Sequence, residues 1–124
     1  DGFMLACDDD QFRFLKVNPA DASHTVLSTG LCGAKTGFAR DAAGAIWLSD
    51  GVQLDKVDLA GQKTKVASVT PPARYKGLTF HLGKLYAIDL DAVNLVTIHT
   101  QTGMVTTVGP IAPFQLHALA SPTP

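Results

Sequence analysis

The chain has 124 residues, of which 46% are apolar and 17% charged, and its formal net charge is −1. This composition fits one globular domain with a modest core and excludes a disordered polar segment. Lys and Arg are scattered, so neither nucleic acid nor an anionic membrane is an expected partner, and no apolar run approaches the ~18 residues of a spanning helix. No secretory signal pattern is present. The sequence begins at Asp1, which suits a processed chain and a segment of a longer one alike.

Taken in chain order, the first segment, Gly2–Asp8, alternates like a strand, and its pattern returns twice. Gly44–Asp50 repeats it 42 residues later and Gly83–Asp89 after a further 39. A period near 40 with strand-like content marks a stack or ring of similar β units. In the first unit, Gly2–Asp8 is the strand designated b. Val17 falls on strand c, Asp21 on the c–d turn and Val26 on strand d. The second unit reads as strand a over 37–41, b over 45–49, c over 53–58 and d over 64–69. Asp50-Gly51 forms its b–c hairpin, both residues being suited to positive φ. The third unit has strand a over 77–81, b over 85–89, c over 95–99 and d over 105–108. Val17, Val57 and Ile98 correspond, as do Val26, Val66 and Val108. Asp21 stands where the later units have Gly61 and Gly103, because Asp tolerates the left-handed region. After the third unit, 116–120 reads as one more strand a, the strand that the first unit lacks. No window carries sustained helical spacing, so helix content is expected near nil.

Cys7 and Cys32 are the only cysteines. Two cysteines with no CxxC make neither a disulfide framework nor a zinc site. Cys7 lies on strand b and Cys32 follows strand d, with strand c between them. Two strand spacings of ~4.8 Å exceed the ~7 Å between Cα atoms that a disulfide tolerates. Both are expected to be reduced, small, buried side chains.

The stretches GFARDAAGAIWLSDG…LDKVDLAGQKTKV and GLTFHLGKLYAID…NLVTIHTQTGMVTTVG resemble blades of NHL-type and SMP-30/lactonase-type β-propellers. The resemblance covers nearly the whole chain. It implies an all-β fold of three four-stranded antiparallel blades around a channel, strand a innermost. The chain then reads as one half-propeller domain, 1–124: blade 1 over 1–29 plus the strand 116–120, blade 2 over 37–69 and blade 3 over 77–109. Three blades do not close a ring, whereas two copies make six, so a homodimer with exchanged C-terminal strands is expected. The WD and Gly-His signatures of WD40 blades are absent.

These propellers host both binding proteins and enzymes. Asp8, Asp50 and Asp89 recur after strand b, where they suit either a polar site or the bonding of their own turn amides, the latter being favoured. Lys35, Arg74, Tyr75 and Phe114 sit on the d–a connections and would line the same end with Asp50 and Asp89, offering cations, aromatic surfaces and carboxylates to a small polar ligand or peptide. His24, His81, His99 and His117 have no metal-ligand spacing. The chain has no Glu, and Asn18 and Asn94 are its only Asn, which disfavours the lactonase metal site. The expected function is a non-catalytic binding or scaffold module, without cofactor, metal or catalytic residues. The alternative is a lactonase-like or other hydrolase with its site in the channel.

Overall fold

The computed structural model describes residues 2–8, 10–30, 32 and 37–111. Among them all regular structure is β-strand: β1 (Met4–Asp8), β2 (Arg13–Val17), β3 (His24–Thr29), β4 (Gly37–Arg40), β5 (Ile46–Ser49), β6 (Gln53–Val57), β7 (Lys63–Ser68), β8 (Tyr75–His81), β9 (Lys84–Asp89), β10 (Asn94–Ile98) and β11 (Val105–Pro110). They pair antiparallel in chain order as three sheets, β1–β2–β3, β4–β5–β6–β7 and β8–β9–β10–β11. The strand expected over 116–120 lies outside the described residues.

The repeat holds at the level of register. Leu5 pairs with Lys16 and Lys16 with Thr25. Trp47 pairs with Lys56 and Lys56 with Thr64. Tyr86 pairs with Thr97 and Thr97 with Thr106. Each c–d pair carries a β-bulge at the same place: after Phe14, after Leu54 and after Leu95. One extra residue on the outer strand is thereby left unpaired. That residue is Leu27, Val66 or Val108, so Val26 is not the counterpart of Val66. The first c–d turn is one residue longer than the second, Val17 pairing with His24 but Val57 with Lys63, so Val26 corresponds to Lys65 and also to Thr107.

The turns follow local hydrogen-bond chemistry. In each c–d turn the residue after strand c, whether Asn18, Asp58 or His99, accepts turn amides with its side chain: Oδ1 of Asn18 from Ala20, Oδ1 of Asp58 from Ala60 and Gln62, Nδ1 of His99 from Gln101 and Thr102. The left-handed residue of the first such turn is Ala22 (φ 61°) and not Asp21, in line with Gly61 and Gly103. Asp21 instead accepts from the amide and hydroxyl of Ser23. In the second b–c turn only Gly51 has positive φ, and Asp50 precedes it as an acceptor. The β4–β5 turn is organised by Asp41, which takes the Ala43 and Ala45 amides on Oδ1 and the Trp47 indole N–H on Oδ2 at 3.0 Å.

The chain divides into two compact units, one built on β1–β3 with the 58–62 turn and one on β4–β11. In the first, Phe14 and Cys32 are buried. Contrary to expectation, Cys7 and Cys32 form a disulfide, with Cα atoms 5.5 Å apart. The strand-spacing argument fails because Cys32 is past the end of β3. The chain turns at Gly30 (φ 84°), whose amide donates to the Phe12 carbonyl at 2.7 Å, and so passes the β1–β2 turn on its way to Cys7.

In the second unit, two sheets pack face to face. Ala39, Trp47 and Leu54 form the back face of the β4–β7 sheet, and Leu78, Phe80, Leu85, Ala87, Val96 and Ile98 the front face of the β8–β11 sheet. The Trp47 and Phe80 rings lie 6.1 Å apart across this core. Below the pair, Thr70 and Met104 form a parallel bridge, and Gly103 approaches Ser68 so closely that a Cβ would lie 2.0 Å from its carbonyl oxygen.

Candidate ligand-binding site

Of the six expected site residues, Lys35 and Phe114 lie outside the described residues. The other four, Asp50, Arg74, Tyr75 and Asp89, are gathered at one end of the second unit. Backbone geometry brings them together. The Ala73 amide donates to the Gly51 carbonyl at 3.2 Å, and the Leu90 amide to the Arg74 carbonyl at 3.0 Å. Gly51 is obligatory here, since a Cβ would lie 1.9 Å from the Ala73 oxygen. Tyr75 then enters β8 opposite Asp89.

The chemistry of the cluster differs from residue to residue. Asp50 Oδ1 accepts from the amides of Val52 and Gln53, and Asp89 Oδ1 from those of Asp91 and Ala92. Asp8 does the same for Asp10 and Gln11. The turn-building role therefore holds at all three positions. Asp8 also binds Arg13 through Oδ2, and this hydrogen bond holds its carboxyl below the usual range. Arg74 grips Asp91 with both Nε and a terminal nitrogen, at 2.9 and 2.5 Å. The contact lowers the Asp91 carboxyl and raises the Arg74 guanidinium. Both side chains are largely exposed, so the pair adds little stability. Tyr75 is a core residue: it is buried, and its hydroxyl donates to the Pro71 carbonyl at 2.7 Å. Burial first, then Asp89 and Asp91, push its phenol upward.

Sequence reading missed Asp91, although it stands in the same turn as Asp89 and thus on the loop facing Arg74. It also missed Asp55, a buried carboxylate on β6 where the other sheets have Leu15 and Val96. Burial raises its carboxyl, opposed by a 2.8 Å bond from the Gln53 amide and by Lys63 at 3.9 Å. Among the described residues no three His, Cys or Asp converge as a metal site.

Four-stranded antiparallel sheets packed in this way, each with strands in chain order, define blades of a β-propeller. The chain matches no family model and no curated protein. Among solved structures it is similar to a catalytically inactive virginiamycin B lyase from Staphylococcus aureus with quinupristin, at TM-score 0.65 and 16% identity over 94% of this chain and 41% of the lyase. It is similar to a streptogramin B lyase at TM-score 0.62 and 11% identity, covering 94% of this chain and 40% of that one. A nidogen/laminin complex matches at TM-score 0.58 and 12% identity over 79% of this chain and 38% of the other. The chain thus spans about two fifths of the length of these structures, and the likeness establishes the fold.

Proposed function

We propose that the chain is a non-catalytic β-propeller binding module that completes a six-bladed ring by pairing with a second copy. The observation that carries this reading is the front face of the β1–β3 sheet. Met4 is 58% exposed, whereas its counterparts Ile46 and Leu85 are 2% and 1% exposed. Ala6, Leu15 and Val17, beside it on the same face, are half-buried, while the corresponding positions of the other two sheets are buried. An apolar face left partly open where its counterparts are covered marks an interaction surface. The front face of the β8–β11 sheet is covered by the back face of another blade. The equivalent partner for β1–β3 is the back face of β8–β11 in a second copy, with Thr79, Tyr86, Thr97 and Thr106 in one row. The segment 116–120 would add a fourth strand beside β1.

The polar groups at the candidate site have structural partners of their own, which suits a preformed recognition surface better than a catalytic one. Asp50 and Asp89 serve their turns, Arg74 serves Asp91 and Tyr75 serves Pro71. With Lys35 and Phe114, this end of the blades suits a small polar ligand or peptide. The test is the mass in solution by analytical ultracentrifugation. Twice the 13.1 kDa of one chain is expected, with Met4→Asp reducing it to one and Leu82→Asp leaving it unchanged. A monodisperse monomer for the full-length chain refutes the reading.

A further inference from the structure

The β1–β3 and β8–β11 sheets each carry a cleft on the back face, at the corner where the c–d turn lies beside the start of strand b. The first, of about 320 Å³, is lined by Phe3, Lys16, Asn18, Ser23 and Thr25 among others. The second, of about 500 Å³, is lined by Lys84, Thr97, His99, Met104 and Thr106 among others. These are the same repeat positions in the same order. The Asn18 amide donates to the Ser23 carbonyl at 2.8 Å, as the His99 amide does to the Met104 carbonyl at 2.9 Å.

The two corners have exchanged side chains yet kept their chemistry. Each holds one lysine, on the middle strand in the first (Lys16) and on strand b in the second (Lys84). Lys16 extends its ammonium over the Phe3 ring at 4.4 Å. Each offers hydroxyls, from Ser23 and Thr25 or from Thr97 and Thr106. Each has an apolar wall, Phe3 or Met104. Neither is lined by a carboxylate, although the chain has eleven Asp. The corresponding corner of the β4–β7 sheet differs on that point. Its Lys56 lies over the Trp47 ring, and Asp58 stands where the others have Asn18 and His99. Lys56, Asp58, Gln62 and Thr64 stay exposed there even though a neighbouring sheet packs on that back face. A corner of this kind therefore remains open when its blade face is covered.

We infer that the two corners bind an acidic saccharide, the lysine receiving the sugar carboxylate. The hydroxyls and the Asn18 amide suit sugar hydroxyls, and Phe3 or Met104 suits the apolar face of a ring. Clefts of a few hundred Å³ match one or two sugar units. Both corners lie apart from the Arg74 and Asp89 cluster, and the inference does not rest on the dimer.

The probe is a hyaluronan hexasaccharide titrated into the full chain by calorimetry, with maltohexaose and inorganic sulfate as parallel arms. Two sites per chain are expected, weakening as salt is raised. Lys16→Gln and Lys84→Gln each remove one site and the double variant removes both, whereas Lys16→Arg retains its site and Lys56→Gln changes nothing. Maltohexaose and sulfate are expected to bind at least about tenfold more weakly, each lacking one half of the recognised chemistry. Equal affinity for maltohexaose overturns the role of the lysines. Equal affinity for sulfate reduces the corners to general anion sites and overturns the saccharide. Absence of binding, or equal loss with Lys56→Gln, overturns the inference as a whole.

Discussion

Removing the Cys7–Cys32 bond is the sharpest perturbation of the first unit. The two residues are 25 apart in sequence. Closing a loop of that length removes unfolded-state entropy amounting to about 3.5 kcal/mol at 25 °C. The double substitution Cys7→Ala with Cys32→Ala deletes the bond without placing a hydroxyl at the buried Cys32 position. With a urea dependence of about 2 kcal/mol per M, the unfolding midpoint of this unit should fall by nearly 2 M. Amide exchange read by mass spectrometry should localise the loss, with β1–β3 amides exchanging faster and those of β9 and β10 little changed. Thiol titration in denaturant without reductant should find no free thiol in the parent chain. Two free thiols per chain would refute the pairing. An intact bond whose removal leaves the midpoint in place would refute the loop-closure estimate.

Leu82, 77% exposed with φ 50° in the two-residue β8–β9 turn, is expected to gain about 1 kcal/mol on replacement by Asn, read by urea unfolding. Gly103→Ala and Gly83→Ala form a matched pair, since both positions have φ near 75° but only Gly103 faces a backbone oxygen within contact. Gly83→Ala should cost about 1 kcal/mol and Gly103→Ala at least about twice that; equal costs would remove the Ser68 contact from the account. Asp55→Asn should stabilise the second unit at pH 7, where the parent keeps a charge buried. Because the Asp55 carboxyl is raised in the folded state, its penalty is present above that raised value and fades as pH falls toward the unfolded carboxyl. The two proteins' thermal midpoints should therefore converge in acid, and a gap that widens there would reverse the sign of the argument.

Features encoded by nearest neighbours were readable from sequence. Alternation located the strands, and Asp50 and Asp89 behave as acceptors of their own turns because that chemistry needs only residues two and three places on. Features set by chain path were not. The disulfide depends on where the segment past Gly30 runs. The bulge at Leu27 was hidden because Val26 and Leu27 are both apolar, so either satisfies the pattern. Ala22 took the left-handed position because that turn is one residue longer than the one containing Gly61. Tyr75 could belong to a ligand surface or a core, and the Pro71 carbonyl decides for the core. Arg74 was legible as a cation at that end of the blade, whereas its pairing with Asp91, 17 residues away, is set by the fold.

The three outermost strands share a protection against aggregation. β3, β7 and β11 are edges of their sheets, and a row of open amides and carbonyls invites pairing with a foreign strand. Each is broken by a bulge, and two of them also carry residues unsuited to such pairing: Lys63 and Lys65 on β7 and Pro110 on β11. β1 is also an edge among the described residues, yet its pairing with β2 runs without a bulge and its sequence, Met4-Leu5-Ala6-Cys7, carries no charge before Asp8. Partially unfolded chains should accordingly self-associate through β1 first, and a lysine at Leu5 should raise the concentration at which they precipitate.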